Sequence, residues 1–310
     1  MTQTRQLKRT LLKFLSFFSV VRGYNIAVVV LAQYLSAIFI FGSQSQSRAI
    51  SVLTDGGLFL IIFSSSLAIA SGYIINNFYD TEKDLINRPY KSNLDKKISK
   101  ETQFRVYFFL NFLSVAIAWL VSWRAAFFYA VYIFLLWFYS HKLKRFPIVG
   151  NITASLLVLL PFFGILMHFQ NFSWGIFAHG FYLYLILFIR ESVKDLENLK
   201  GDFANNYQTI PVRFGTNVSK SLIAFLVLLT LLPAFALITY YKVGYMQYYF
   251  YISSGLLLAF LIFLYQASTQ TEYKKLHILL KLIILFGVLS IVLIDPNVII
   301  NGTNLVIPYL

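Results

Sequence analysis

The chain has 310 residues, 58% of them hydrophobic and only 12% charged, with a mean hydropathy of +0.70. Soluble domains carry roughly 25% charged residues, so this composition belongs to an integral membrane protein. The lack of cysteine excludes disulfides, thiolate metal sites and cysteine nucleophiles, four scattered His give little support to a zinc site, and topology and anionic lipid explain the net charge of +14 more simply than nucleic acid does.

Residues 1–20 carry Arg5, Lys8, Arg9 and Lys13 among Leu7, Leu11, Leu12, Phe14, Leu15, Phe17 and Phe18. No small-residue cleavage site follows a clear apolar core, so the segment does not read as a cleaved signal. It predicts a basic amphipathic helix lying on the membrane surface; the alternative is the start of the first spanning helix. Runs of the roughly 20 apolar residues that a bilayer requires follow at about 24–42, 57–78, 104–121, 124–140, 149–168, 173–190, 220–240, 248–267 and 277–295. The expected fold is all-α, a polytopic membrane protein with nine transmembrane helices. Only Ser122-Trp123-Arg124 separates the third run from the fourth, which predicts a tight helical hairpin.

Lys and Arg set the orientation. With the N-terminus in the cytoplasm, 23 of the 26 fall on inner segments, and only Arg48, Arg124 and Lys242 fall on outer ones. Ten of the 12 acids share the inner side, leaving Asp55 and Asp295 outside. Residues 1–310 read as one membrane domain without linkers, with cytoplasmic active-site loops at 79–103 and 191–219, of which the stretches around 85–103 and 203–219 are placed to act as lids. The offset of four spans between the two acidic motifs described next hints at two related four-helix units, although no residue-by-residue repeat is visible.

The first acidic motif closes the second run. Asn76, Asp80 and Asp84 stand at i, i+4 and i+8, which on a helix puts an amide and two carboxylates on one face. Acids near the membrane are expensive and point to function. Magnesium takes oxygen ligands, commonly one or two carboxylates together with phosphate oxygens and water. Arg88 and Lys91 lie just beyond, placed to hold diphosphate oxygens. The alternative is an ordinary solvated loop after a span.

Tyr139-Ser140-His141-Lys142-Leu143-Lys144-Arg145 joins the fourth and fifth runs. It offers Tyr139, Lys142, Lys144 and Arg145 to phosphate, or serves only as a positive-inside signal. The second acidic motif closes the sixth run, with Asp195, Asn198 and Asp202 at i, i+3 and i+7, preceded by Arg190 and Lys194. Gly201 and the polar stretch after it predict a helix end near Asp202. Arg22 and Asn25, at the inner start of the first run, either line the same cavity or anchor the helix by snorkelling. Two oxygen-rich clusters in an apolar protein suggest bound magnesium and a lipid diphosphate.

These motifs resemble the UbiA superfamily of intramembrane prenyltransferases over nearly the whole chain. The resemblance is carried by NNFYDTEKDLINRP at 76–89, YSHKLKRFPIVGNI at 139–152 and RESVKDLENLKGDFANNYQTIPVRFG at 190–215. It implies a helical bundle around a central cavity open to lipid, binding a polyprenyl diphosphate through Mg2+. It also implies transfer of the prenyl group to an acceptor in a bacterial or archaeal cytoplasmic membrane, with the active site toward the cytoplasm. The family's first motif falls on Asn76, Asp80 and Asp84, and its second on Asn198 and Asp202. Asn198 stands where the family usually has Asp; an amide can ligate magnesium but brings no charge, and Asp195 is placed to compensate.

Asp80, Asp84, Asp202 and Arg88 are therefore the expected catalytic set, with Asn76, Asp195 and Asn198 completing the metal ligands. RESVKDLENLKGD and KKISKE look most like the geranylgeranylglycerol-phosphate geranylgeranyltransferase branch, which implies an ether-lipid acceptor. The alternative acceptors are aromatic quinone precursors, dihydroxynaphthoate or 4-hydroxybenzoate, and haem O synthase shares the same metal motifs. A lipid or ion transporter using its acids as relays is the rival from another class, and a family member weakened at Asn198 into a binding or assembly protein is a third reading. The sequence leaves chain length and oligomeric state open.

Overall fold

The computed structural model describes residues 16–41, 49–95, 98–241 and 243–296. Most of the predicted N-terminal amphipathic segment, with Arg5, Lys8, Arg9 and Lys13, lies outside the described residues. Among those described, nine helices are long and apolar enough to cross a membrane: Gly23–Phe41, Gly56–Tyr79, Lys100–Val121, Trp123–Arg145, Val149–Phe169, Trp174–Glu197, Ile210–Tyr240, Gly244–Gln266 and Gln270–Ile294. They are called spans one to nine below.

Local chemistry sets the helix ends. Asp55 caps span two, its side chain accepting from the Leu58 N–H at 3.0 Å. Ser122 is extended (φ −169°, ψ 157°) and accepts from Ala125 N–H, so one residue both ends span three and caps span four. Thr269 and Glu272 form a reciprocal capping box at the start of span nine. Gly215 (φ 85°, ψ 165°) interrupts span seven, a conformation that a residue with a Cβ rarely adopts.

Several ends differ from the sequence reading. The expected loop 191–219 is largely helical: span six runs on to Glu197, a short helix covers Leu199–Ala204, and span seven begins at Ile210. The expected loop 79–103 holds two further short helices, Thr81–Asn87 and Pro89–Asp95. Span nine starts at Gln270 rather than 277. Hydropathy marks where lipid ends, whereas backbone hydrogen bonding carries a helix past the lipid into its polar flank.

The core divides into two groups. Buried side chains of spans one to five, among them Leu58, Ile61, Ala118, Tyr129 and Ile165, form one cluster. Those of spans six to nine, among them Ile189, Ile223, Phe250 and Leu280, form another, joined by Phe39 of span one. Close approach depends on small residues, as membrane helix packing commonly does. A Cβ on Gly72 would meet Leu136 Cδ1 at 3.0 Å, and one on Gly164 would meet Tyr129 Oη at 3.1 Å. Buried polar groups between spans are paired: Tyr129 Oη donates to Ile61 O (2.8 Å), and Gln33 Nε2 donates to Pro161 O (3.2 Å) while accepting from Ser65 Oγ (3.0 Å). Large apolar side chains such as Phe112, Trp119 and Phe127 point outward, as a lipid-facing surface requires.

Candidate active site

Both acidic motifs sit at one end of the bundle, each at a junction between a span and a short helix. Span two ends at Tyr79, and Asp80 (φ −93°, ψ 6°) links it to Thr81–Asn87. Span six ends at Glu197, and Asn198 (φ −98°, ψ 7°) links it to Leu199–Ala204. Asn76, Asp80 and Asp84 therefore do not lie on one unbroken helix. The i to i+4 backbone bonds nevertheless continue, from Asp80 N to Asn76 O (3.0 Å) and from Asp84 N to Asp80 O (2.8 Å). Asp202 likewise lies inside its short helix, which ends at Ala204. The two short helices meet where Gly201 N–H donates to Asn87 Oδ1 at 3.1 Å; a Cβ at Gly201 would overlap the Asn87 amide.

Lysine ammonium groups stand among the oxygen donors. Lys144 Nζ donates to Asp80 Oδ1 at 2.8 Å and to Asn76 Oδ1 at 3.2 Å. Lys83 Nζ pairs with Asp202 Oδ1 at 2.5 Å, and Asp202 is fully buried. That ion pair does not satisfy Asp202 Oδ1 by hydrogen-bond geometry, and Asn198 Oδ1 is also buried without a hydrogen-bond partner. Asn151 Nδ2 donates to Asp195 Oδ2 at 2.8 Å. Tyr207 Oη donates to Asp80 Oδ1 at 3.2 Å. The Tyr207 ring underlies three cations: Lys83 at 4.6 Å, Arg145 at 5.3 Å and Lys144 at 5.9 Å.

Lys144 is delivered by a strained turn. Ile148 has φ 64° and ψ −56°, and Val149 N–H donates to Pro147 O at 2.6 Å, a γ-turn with a branched side chain at positive φ. Gly150 then lets span five approach the Lys144 backbone, where a Cβ would meet Leu143 O and Lys144 Cα at 3.3 Å.

The electrostatics follow from these contacts. Burial opposes the Asp80 carboxylate, but Lys144 and Lys83 outweigh it and hold its pKa below the ordinary carboxylate range. Burial opposes the Lys83 ammonium as well, yet Asp80 and Asp202 raise its pKa above the usual lysine range. For Asp202 burial wins over Lys83, and its pKa is raised. Burial and the nearby Asp80 charge push the Tyr207 phenol up.

The other predicted residues take different partners or none. Asp84 makes no side-chain hydrogen bond or ion pair with a described residue. Arg88 turns to Glu197, at 3.6 Å. Glu191 accepts from Arg190 and from Lys194, each at 2.6 Å. Lys194 is within electrostatic reach of Asp80, Asp195 and Asp202, and Tyr139 of Glu191, Asp195 and Asp80. Arg22 stacks over Tyr73 at 5.1 Å, and Asn25 Nδ2 donates to Tyr73 Oη at 3.3 Å. Lys142 is exposed, and the side chain of Lys91 lies outside the described ones.

Lys83, Tyr207 and Asn151 are missing from the sequence-predicted set. Lys83 lies within the first motif and Asn151 within the 139–152 stretch, but spacing assigns neither a partner. Tyr207 is one of 21 tyrosines, with no local pattern to single it out.

The donor set suits a hard divalent cation. Among the described residues no three acidic or imidazole side chains converge on one point, but magnesium is commonly bound by one or two carboxylates plus substrate phosphates. Two ammonium groups already sit against carboxylate or amide oxygens, and two buried oxygens of the second motif lack hydrogen bonds.

Residues 18–291 match the UbiA prenyltransferase family. The chain belongs to that family. It is 31% identical over 226 residues to the digeranylgeranylglyceryl phosphate synthase of Saccharolobus solfataricus, covering 71% of this chain and 77% of that one. The Thermococcus gammatolerans protein of the same name is 28% identical over 221 residues, covering 71% and 76%. The solved structure of a digeranylgeranylglyceryl phosphate synthase superposes with a TM-score of 0.68 at 20% identity, covering 91% of this chain and 98% of that one. A UbiA homologue from Archaeoglobus fulgidus bound to GPP and Mg2+ gives 0.58 at 17%, covering 89% and 99%. The protein is thus a UbiA-type prenyltransferase with that fold, and the transporter reading falls away.

Proposed function

We propose that this UbiA-family enzyme transfers a geranylgeranyl group from geranylgeranyl diphosphate to the free hydroxyl of geranylgeranylglyceryl phosphate, with Mg2+ as cofactor. The observation that carries the chemistry is the caging of two ammonium cations by Asn76, Asp80 and Asp202 at the meeting point of the two motifs. The acceptor is supported by the relatives named digeranylgeranylglyceryl phosphate synthase. We place this end in the cytoplasm, because the segments read as inner from the sequence, which include both acidic motifs, carry 23 of the 26 Lys and Arg.

In this reading Asn76, Asp80, Asp195, Asn198 and Asp202 hold magnesium, with Asp84 beside them. When bound, the metal supplies positive charge that stabilises the diphosphate leaving group. Lys83 and Lys144 turn from the carboxylates toward the diphosphate oxygens, Arg145 reaches them from the Tyr207 ring, and together they neutralise charge as the C1–O bond breaks. The electron pair leaves with diphosphate. The acceptor oxygen forms the new bond to C1, and its proton passes to the departing diphosphate. Apolar walls keep water from the allylic cation. An apolar cavity of about 510 Å³, bounded by spans one, five, six, eight and nine, receives isoprenoid tail.

The test is product formation by detergent-purified protein with magnesium and geranylgeranyl diphosphate. Geranylgeranylglyceryl phosphate, dihydroxynaphthoate and 4-hydroxybenzoate are offered separately. Ether product from the first acceptor alone, lost with chelator, is the expected result. Prenylated aromatic product alone overturns the acceptor assignment.

A further inference from the structure

We propose that Arg22, Arg88, Arg190 and Lys281 form a second anion site, distinct from the Asp80–Asp202 centre, which takes the phosphomonoester headgroup of the lipid acceptor. This rests on the acceptor class proposed above.

Two groups of cations stand apart at the polar end. Lys83, Lys144 and Arg145 gather on Tyr207, beside Asp80 and Asp202. The second group comes from spans one, six and nine and from the junction between the short helices 81–87 and 89–95. The carboxylates in its midst are Glu191 and Glu197, and both are engaged. Glu191 holds Arg190 with one oxygen and Lys194 with the other. Glu197 faces Arg88 with Oε1, at 3.6 Å, and accepts from His277 Nδ1 with Oε2, at 2.5 Å. Arg22 and Lys281 have no carboxylate partner among the described residues. Arg190 Nε is buried without a hydrogen-bond acceptor. Lys281 lies within electrostatic reach of Arg190, Arg88 and Arg22, and of the Glu197 carboxylate, and it stands one helical turn from His277, which bonds Glu197.

Arg190 and Arg88 are each paired with one carboxylate, so the positive charge of Arg22 and Lys281 is left in excess, and a bound dianion would balance it. Guanidinium forks match phosphate oxygens, and a free ammonium adds a point charge. The group has no uncommitted carboxylate to share a magnesium ion with a diphosphate. A phosphomonoester, which needs no metal bridge, fits it better than the prenyl donor does.

Helix geometry adds the lipid. Arg22 immediately precedes span one, Arg190 lies two turns from the end of span six and Lys281 midway along span nine, and the same spans wall the apolar cavity further along. On span nine Ile284 of the cavity wall lies one turn beyond Lys281, about 4.5 Å along the axis. On span six Tyr184 lies about 9 Å from Arg190 by the same rise. A headgroup on the cations therefore has its hydrocarbon entering the cavity between the same helices.

The test uses full-length protein in detergent and the variants Lys281→Met and Lys281→Arg. Lys281 is an exposed side chain, and melting curves check that both variants fold. For Lys281→Met the KM for geranylgeranylglyceryl phosphate is expected to rise at least about tenfold, while the KM for geranylgeranyl diphosphate stays within about twofold. Lys281→Arg should recover most of the loss. Inorganic phosphate and glycerol phosphate should compete with the lipid acceptor, and less well in Lys281→Met. An unchanged acceptor KM, or a rise in the KM for the diphosphate alone, overturns the site. If wild type makes no ether product at all, the proposed acceptor has failed, and the site is judged by binding. Calorimetric affinity for a dialkylglycerol phosphate must then fall at least tenfold in Lys281→Met, and equal affinity overturns it.

Discussion

Asp80 and Asn198 occupy the same backbone conformation at equivalent junctions, one after span two and the other after span six. Both sit near φ −90° and ψ 0°, a sparsely populated region where active-site residues are common. Each junction turns a short helix away from its span, and those two helices meet through Asn87 and Gly201. At this position the two motifs differ in charge, a carboxylate in one and an amide in the other.

That difference predicts opposite responses. Asp80→Asn should lower kcat by about 10²–10³, as loss of one charge-stabilising group commonly does. Asn198→Asp turns one buried oxygen without a hydrogen bond into a carboxylate near another, Asp202 Oδ1, and should lower the magnesium concentration needed for half-maximal rate. A magnesium titration of the product assay reads both. A higher magnesium requirement in Asn198→Asp would remove that residue from the metal site.

Tyr207 combines a hydrogen bond to Asp80 with a ring beneath three cations. Tyr207→Phe removes only the former, and a hydrogen bond to a charged group is worth about 1.5–3 kcal/mol. Tyr207→Ala removes the ring as well and should lower kcat/KM further, by at least another several-fold. Equal activities of the two variants would show that the ring does not hold the cations.

Gly201→Ala drives a methyl group into the Asn87 amide. Overpacking of this kind costs about 1–3 kcal/mol. The expected result is a lower Tm together with reduced activity, both partly restored by Asn87→Ala in the double variant. A double variant no better than Gly201→Ala alone would place the clash elsewhere.

Ile148 holds its γ-turn at positive φ with a half-exposed side chain. Such strain costs about 1–3 kcal/mol, and glycine's entropy takes back about 0.5–1 kcal/mol. Ile148→Gly should therefore raise Tm in detergent by a few degrees. Activity should fall if the strain is what fixes Lys144. Melting curves and the product assay together decide this.

At the opposite end, Asp55 pairs with His168 at 2.7 Å. Burial works against the Asp55 carboxylate, but the His168 hydrogen bond and the Leu58 N–H outweigh it and lower its pKa. A folded-state pKa below the unfolded value gives stability that is present above about pH 4 and is lost as pH falls through the folded pKa. Wild type should lose its Tm advantage over Asp55→Asn as the pH drops from about 5 to about 3. A constant difference between the two would contradict this linkage.

The sequence by itself determined the class, the spans and the two acidic motifs, because hydropathy and helical spacing are properties of single segments. The same segments carried the family resemblance, through Asn76, Asp80, Asp84, Asn198 and Asp202. It misplaced the starts of spans seven and nine, where polar residues continue a helix beyond the lipid. It could not assign Lys144 to Asp80, Lys83 to Asp202 or Tyr207 to both lysines, since those partners are far apart in the chain or face different short helices. Nor could it divide the basic residues between Tyr207 on one side and Glu197, His277 and Lys281 on the other. Only helix packing decides which stretches of spans one, six and nine converge, and a charge on such a stretch takes its meaning from the neighbour that packing supplies.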